Sequence, residues 1–118
     1  MMSEPVFVIS EWLPKEGCDQ EAFEKLKFLM EMTRKSERGC SQAYAFQQIT
    51  HPKSPGKSKY KIVLFQEYKE VDAFNAHTEM SYVKEFVSAY IENPETAIIQ
   101  DGTCRLFRKF GQDEFPVE

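Results

Sequence analysis

The sequence has few of the residues and motifs that mark a particular chemistry. It has two histidines, His51 and His77, and three widely spaced cysteines with no C-x-x-C pair and no zinc-ligand spacing. It has no G-x-G-x-x-G segment, no P-loop and no G-x-S-x-G elbow. We therefore predict no metal, no cofactor, no standard nucleotide site and no α/β-hydrolase nucleophile.

The sequence also lacks an excess of positive charge and any long apolar run. The net charge is -4 over 118 residues, which argues against nucleic acid as a partner, because nucleic-acid binding favours a basic surface. No apolar run approaches the length of a membrane span, and Glu4 and Pro5 interrupt the first ten residues, so neither a signal peptide nor a membrane partner is expected. Cys18, Cys40 and Cys104 are then expected to be free thiols of a cytoplasmic protein.

Aromatic residues are abundant, with ten Phe, five Tyr and one Trp. Most aromatic side chains fill a core, and this number leaves a surplus that could line a pocket. A chain of this length can bury its own core, so we predict one domain over residues 1–118. Its core is expected over about 5–110, and 111–118 is expected to be a C-terminal tail.

Hydrophobic periodicity and turn signals predict the order β-α-β-β-α-β. The predicted strands cover residues 6–13, 40–49, 60–68 and 103–110. A helix is predicted to start at a capping Asp19 and to end at Gly39, and further helices are predicted over 71–79 and 81–93. This order is the split βαβ arrangement of the ferredoxin-like α+β fold, with helices on one face of a four-stranded antiparallel sheet.

Both faces of this predicted sheet are apolar. In the first strand Val6, Val8 and Trp12 would point one way, and Phe7, Ile9 and Leu13 the other. In the third strand Ile62 and Leu64 would point opposite to Val63 and Phe65. An antiparallel sheet with helices on one face usually has a polar second face in a monomer. We therefore predict a two-fold homodimer packed sheet to sheet.

Short motifs placed along this pattern resemble those of the antibiotic biosynthesis monooxygenase (ABM) domain family. The segment ERGC at 37–40, followed by Tyr44, resembles the E-x-G-C…Y junction of that family. The segment EYKEVDAFNAH at 67–77 resembles its E-x-[WY]…A-x-x-x-H signature. Tyr82 and Phe86 fit the aromatic start of the next helix. The resemblance covers about residues 5–110.

The resemblance implies a dimeric α+β barrel, whereas the activities within the family differ and many members have no established one. The family includes cofactor-free oxygenases that convert quinols or polyketide hydroxy-aromatics to quinones, enzymes that isomerise or degrade a phosphorylated signalling sugar, and haem-degrading relatives. The haem relatives carry an Asn on the first strand, a Trp on the short helix and an axial His on the next helix. Here Ser10 and His77 stand at the first two positions and 81–93 contains no His, so haem is not expected.

His77 and Glu67 are the predicted catalytic residues. His77 shares one helical face with Ala73 and Phe74, so it could bond a substrate oxygen or move a proton. Glu67 could orient His77 or accept a phenolic proton. The alternatives are a structural His77 bonded to backbone, and a Glu67 that is a surface carboxylate or part of a dimer salt bridge. The predicted substrate-binding aromatic residues, which could equally be core residues, are Trp12, Tyr44, Phe46, Phe65, Tyr68, Tyr82 and Phe86.

Three functions are compatible with this reasoning. The first is a cofactor-independent monooxygenase that oxidises a quinol-like or polyphenolic small molecule with molecular oxygen. The second is an isomerase or degradation enzyme for a small phosphorylated signalling compound, suggested by Lys53, Lys57, Lys59 and Lys61. The third is a non-catalytic dimeric small-molecule-binding module, in which His77 would be bonded only to backbone.

Overall fold

Strands and helices follow one another in the predicted order. The structure, a computed structural model, describes residues 4–109, so Phe110 and the predicted tail 111–118 lie outside the described residues. The elements are β1 (Val6–Pro14), α1 (Asp19–Ser36), β2 (Cys40–Gln47), β3 (Ile62–Tyr68), α2 (Val71–Thr78), α3 (Ser81–Val87) and β4 (Ile99–Arg108). A π-helical turn, Ser88–Glu92, continues α3.

The four strands form one antiparallel sheet in the order β2-β3-β1-β4. The central strand β1 places Ser10 between Leu64 of β3 and Cys104 of β4, and Trp12 between Ile62 and Gly102. The prediction of a ferredoxin-like α+β fold with a four-stranded antiparallel sheet is confirmed.

Alternation along β3 separates two faces of the sheet. Ile62, Leu64, Gln66 and Tyr68 are buried, and the residues between them are less so. The amide of Gln66 bonds the sulfur of Met30 on α1, so the buried residues belong to the face under the helices, which we call the covered face. The opposite face is called the open face. By register, the open face carries Phe7, Ile9, Glu11, Gln42, Tyr44, Phe46, Phe65, Glu67, Arg105 and Phe107.

The core lies between the covered face and α1. Ala22, Leu26, Leu29 and Met30 recur at helical spacing and are buried. Each buried Leu or Met side chain contributes about 1.5–3 kcal/mol relative to exposure. The one buried polar side chain of this helix, Thr33, donates its hydroxyl to the Leu29 carbonyl at 2.8 Å and so leaves no unpaired group in the core.

The last strand begins four residues earlier than predicted, at Ile99 instead of residue 103. The Asp101-Gly102 pair is typical of a turn, yet both residues pair with β1. The reason lies in the neighbouring strand: a Cβ on Gly102 would stand 3.3 Å from the backbone oxygen of Glu11. The missing side chain allows the backbone of β1 to approach closely, a known reason for glycine inside a strand.

Other predicted boundaries also shift. The strand predicted over 40–49 ends at Gln47, and the one predicted over 60–68 begins at Ile62. The helix predicted over 81–93 divides into α3 and the π-helical turn. Asp19 is the first residue of α1 and not its cap, because Cys18 holds the capping position without a side-chain bond.

Gly39 does not end α1, which stops at Ser36 with Glu37 as its C-terminal cap residue. Positive φ occurs within residues 4–109 only at Gly17, so Gly39 is not a left-handed cap. A Cβ at position 39 would stand 2.5 Å from Cβ of Ala73 on α2. Gly39 therefore allows α2 to lie directly against the turn that follows α1.

Candidate functional site

A cavity of about 220 Å³ lies between the covered face and the helices. We call it the inner cavity. Its lining is apolar except for Ser10, Gln66, His77, Thr78 and Cys104. An apolar cavity of about 150 Å³ can hold a benzene ring, so a volume of about 220 Å³ is sufficient for two fused rings, or for one ring with some substituents.

His77 contributes an imidazole to the wall of the inner cavity. Only 8% of its side chain is exposed, and Nδ1 lies 2.8 Å from Oε2 of Glu37. Nε2 makes no hydrogen bond to any residue within 4–109, and no buried side-chain nitrogen or oxygen there lacks a partner. Nε2 is thus at the edge of accessible space. Because an ionised carboxylate can only accept, Nδ1 is the donor in this bond and Nε2 is the nitrogen left for another partner.

Glu37 is a buried carboxylate with two hydrogen-bond donors. Its side chain is 4% exposed, and Oε2 accepts bonds from His77 and from the hydroxyl of Tyr82. The same hydroxyl lies 3.3 Å from Oγ1 of Thr33. Burial raises the pKa of Tyr82, and the bond to Glu37 raises it further. Tyr82 therefore stays protonated and donates to Glu37 throughout the neutral range.

The contact between Glu37 and His77 follows from the turn after α1. The backbone N–H of Glu37 donates to the Thr33 carbonyl, and the Glu37 carbonyl accepts from Cys40, each at 3.1 Å. Gly39 within this turn meets Ala73, and His77 lies one helical turn after Ala73 on the same face of α2. The close contact of Gly39 with Ala73, near the start of α2, thus brings His77, near the end of the same helix, to Glu37.

Ser10 supplies a second polar group with spare capacity. Its Oγ accepts the indole N–H of Trp12 at 2.8 Å, and its own proton has no acceptor among the described residues. Both ends of the Gln66 amide already have hydrogen-bond partners, since Oε1 accepts from Tyr68 at 3.0 Å and Nε2 donates to Met30. The lining of the inner cavity thus includes a hydroxyl whose proton has no acceptor and an imidazole with one unbonded nitrogen among the described residues.

Comparison with known protein families shows the family to which the chain belongs. The family model described as antibiotic biosynthesis monooxygenase matches residues 5–89, well over half of the sequence. The chain belongs to the ABM family. No protein of curated function matches it.

Solved structures show that the fold of this ABM chain is widely shared. A Pseudomonas aeruginosa protein is similar at 16% identity with a TM-score of 0.72, covering 94% of this chain and 99% of that one. A Mycobacterium tuberculosis protein is 16% identical with a TM-score of 0.69, over 92% and 97%. A Bacteroides fragilis protein, described as dimeric, ferredoxin-like and of unknown function, is 10% identical with a TM-score of 0.66, over 92% and 100%. At these identities the likeness shows the fold alone.

The structure brings five of the nine predicted site residues of this ABM domain together. His77, Trp12 and Phe86 line the inner cavity. Tyr68 is fully buried beside them, with its ring centroid 5.5 Å from that of His77. Tyr82 lies one step further out and bonds Glu37.

The other four predicted residues, Glu67, Tyr44, Phe46 and Phe65, lie on the open face. Oε1 of Glu67 accepts a bond from the Gln42 amide at 2.6 Å, on the side of the sheet away from His77. Glu67 therefore does not orient His77 as expected, because it precedes the covered residue Tyr68 and strand alternation points the two side chains in opposite directions. Glu37 orients His77 instead.

Sequence reasoning missed Glu37, Ser10, Gln66 and Cys104 as residues of the site. Glu37 is part of the motif at 37–40, but nothing in the sequence identifies a partner 40 positions away. Ser10 and Gln66 offered a local signal, since each is a polar residue in an inward-facing apolar series. Cys104 lies opposite Ser10 in the register, and burial raises the pKa of its thiol.

The predicted basic loop lies apart from the ABM cavity. Lys59 pairs with Asp101 at 3.6 Å and Lys61 pairs with Asp19 at 2.8 Å, and no lysine lines the inner cavity. Within residues 4–109 no group of three side chains is arranged to hold a metal ion. Over the same range, none of the helices combines the length and the apolar character needed to cross a membrane.

Proposed function

We propose that the chain is a cofactor-independent monooxygenase that oxidises a quinol-like or polyphenolic small molecule with molecular oxygen in the inner cavity. One observation carries the proposal. His77 is buried in the wall of an apolar cavity with Nδ1 held by Glu37 and Nε2 unbonded. A base held in one tautomer beside an apolar ring site is suited to deprotonating a phenol.

The first step is transfer of the phenolic proton to Nε2 of His77. The Nδ1–H of the imidazolium that forms stays hydrogen-bonded to Glu37. The negative charge of Glu37 stabilises the imidazolium, as the carboxylate does in other carboxylate–histidine pairs. The Tyr82 bond holds the carboxylate in place. The hydroxyl of Ser10 can donate to a ligand oxygen on the strand side of the cavity.

The phenolate is then the reductant for dioxygen. It transfers one electron to dioxygen, the two radicals combine at a ring carbon, and the peroxide that results loses water. The net reaction converts a phenol with one free ring C–H, plus dioxygen, to a quinone and water. Four electrons leave the ring and dioxygen accepts all four, so the scheme needs no metal or flavin.

The positions of the lysines give no support to a phosphorylated substrate. A bound phosphate is normally held by basic groups or by a row of backbone N–H donors. Lys59 and Lys61 are paired with carboxylates away from the inner cavity. The cavity offers a phosphate mainly apolar walls. These features favour an aromatic ligand.

We also propose that the enzyme works as a homodimer through the open face. Phe46 and Phe107 on this face are 52% and 41% exposed, and Phe7 stacks on Phe65 with centroids 6.0 Å apart. Such an apolar surface is typical of a protein–protein contact. The dimeric state of the Bacteroides fragilis relative agrees with this proposal.

Oxygen uptake with a panel of phenols and quinols tests the oxygenase proposal. His77→Gln keeps an amide able to bond Glu37 but removes the base, so kcat/KM should fall by a factor of about 10²–10⁴. His51→Gln is the matched control, because His51 is the other histidine and is exposed in a loop. The control should turn over the phenols and quinols at the same rate as the unsubstituted protein.

Two results would contradict the proposal. Unchanged turnover in His77→Gln would remove His77 from the mechanism. Phenol binding without oxygen uptake, for every member of the panel, would instead identify the chain as a binding module. Unfolding curves of both variants show whether a loss of activity is merely a loss of fold.

A further inference from the structure

A second cavity, of about 390 Å³, adjoins the inner cavity beside β4. We call it the outer cavity. It lies between β4 and the π-helical turn, and its lining includes Ile91, Ile99 and Gln100. Trp12 and Cys104 line both cavities. The indole of Trp12 and the thiol of Cys104 therefore form the boundary between two adjoining spaces.

Trp12 is held in place by two separate contacts. Its indole N–H donates to Ser10 at 2.8 Å. Phe86 meets it edge-on, with ring centroids 6.3 Å apart and planes at 85°. An aromatic side chain fixed both by a hydrogen bond and by packing acts as a rigid wall.

We propose that the outer cavity is a second subsite for the same ligand, and that Trp12 limits the size of the ring that the inner cavity accepts. The inner cavity alone is smaller than the roughly 300 Å³ at the lower end of small-molecule sites. A ring in the inner cavity would extend a substituent past Cys104 into the outer cavity. The inference rests on the proposed function only in that an aromatic ring occupies the inner cavity.

The lining of the outer cavity selects the chemistry of this substituent. Ile91 and Ile99 provide apolar contact, and Gln100 provides a neutral amide. Because β4 is an edge strand of the sheet formed by residues 4–109, its outward backbone groups have no strand partner within that range and can bond a ligand. The lining has no basic residue, and its one charged residue, Asp101, already pairs with Lys59 at 3.6 Å and accepts a bond from Tyr60. A short, uncharged, hydrogen-bonding chain fits this lining, and a carboxylate or phosphate does not.

Isothermal titration calorimetry with three matched phenols tests the subsite. The probes are 1-naphthol, 4-(3-hydroxypropyl)-1-naphthol and 3-(4-hydroxynaphthalen-1-yl)propanoate. The hydroxypropyl compound is expected to bind at least tenfold more tightly than 1-naphthol, and the propanoate no more tightly than 1-naphthol. Equal binding of 1-naphthol and the hydroxypropyl compound would overturn the proposal.

A larger side chain in the outer cavity should remove the preference selectively. Ile91→Phe reduces the space in the outer cavity without touching the inner one, so the tenfold preference should fall below twofold while 1-naphthol binding changes less than twofold. Ile49→Phe makes the same change at an 81% exposed site away from both cavities and should have no effect. Equal weakening of both ligands by Ile91→Phe, or a preference that survives it, would contradict the second subsite.

Shortening the wall provides an independent test, which also decides the matter if Ile91→Phe does not fold. Trp12→Leu should bind the three-ring 9-phenanthrol at least tenfold more tightly than the natural chain does, and 1-naphthol less tightly. No gain for 9-phenanthrol would overturn the role of Trp12. These experiments measure binding, so binding as expected without oxygen uptake contradicts only the proposed function. A failure of 1-naphthol to bind the natural chain contradicts both.

Discussion

The two faces of the sheet have similar apolar and aromatic residues but use their polar residues differently. On the open face, polar groups bond one another within the face: Glu67 accepts from Gln42, and Glu11 pairs with Arg105 at 3.2 Å. Beside the covered face, under the helices, the carboxylate of Glu37 holds only one nitrogen of His77, and the other nitrogen faces accessible space. Two faces that both carry apolar and aromatic side chains can therefore suit different purposes.

This difference shows which observation distinguishes a ligand site from an interface. A surface that meets a protein partner can satisfy its polar side chains locally and leave apolar rings exposed. A ligand site keeps convergent polar groups free within a concave apolar wall. Exposure alone would have favoured the open face as the aromatic site, because Tyr44 and Phe46 are 44% and 52% exposed there.

The largest effect on stability is expected from a comparison of two glutamates, one beside the covered face and one on the open face. Glu37→Ala leaves His77 and Tyr82 without their shared acceptor, and each buried donor left unsatisfied costs about 1–3 kcal/mol. Glu67→Ala removes one hydrogen bond from a half-buried site and should cost about 1 kcal/mol. Urea unfolding at neutral pH measures both free energies of unfolding.

Turnover adds a second measurement to this pair. Because Glu37 acts through His77, we expect Glu37→Ala to lower kcat by at least about 100-fold wherever the variant remains folded, as removal of a base's orienting carboxylate does. Glu67→Ala should keep most of its activity. A more damaging change at Glu67 than at Glu37, in either measurement, would reverse the assignment of the two faces.

The next effect concerns self-association. Phe46→Glu puts a charge on the open face, and we expect the Kd of the dimer to rise at least 100-fold, equivalent to about 2.7 kcal/mol. Phe28→Glu is the matched control, because Phe28 is also strongly exposed, at 59%, but lies on α1. Sedimentation velocity over a concentration series separates monomer from dimer.

Two outcomes would contradict a dimer through the open face. A monomeric natural chain at every concentration would mean that the exposed rings meet another partner or solvent. Dissociation by Phe28→Glu, with Phe46→Glu still dimeric, would move the contact to the helices. Either result would separate the open face from assembly and leave the covered face unchanged.

The fold could be predicted from the sequence because its signals are local and repeated. Period-two alternation in the strand that became β3, and helical spacing from Ala22 to Thr33, each recur over several residues. The start of β4 could not be predicted, because Asp101-Gly102 has the local chemistry of a turn. Its conformation depends on pairing with β1, a strand about 90 positions away.

A residue of the candidate site could be predicted when its own position in the sequence indicates a role. It was missed when its role depends on a contact with a residue distant in the sequence. His77 was identifiable as a histidine on the apolar side of a short helix. Glu37 was not, because its role depends on a turn that meets α2 through the contact of Gly39 with Ala73. Glu67 looked equivalent to Glu37 in the sequence, and only the direction of its side chain from the strand separates them.

The smallest effect tests the contact that brings Glu37 and His77 together. Gly39→Ala would place a Cβ 2.5 Å from that of Ala73, and overpacking of this kind costs about 1–3 kcal/mol. Adding Ala73→Gly removes the colliding atom, so the double variant should recover stability and turnover apart from about 1 kcal/mol for glycine in a helix. Gly56→Ala, at a glycine with open space around it, should change stability by less than about 0.5 kcal/mol.

A double-mutant cycle of unfolding free energies measures the coupling between positions 39 and 73. Additive losses at positions 39 and 73 would show that His77 reaches Glu37 without this contact, and the covered face would then owe its site to α2 alone.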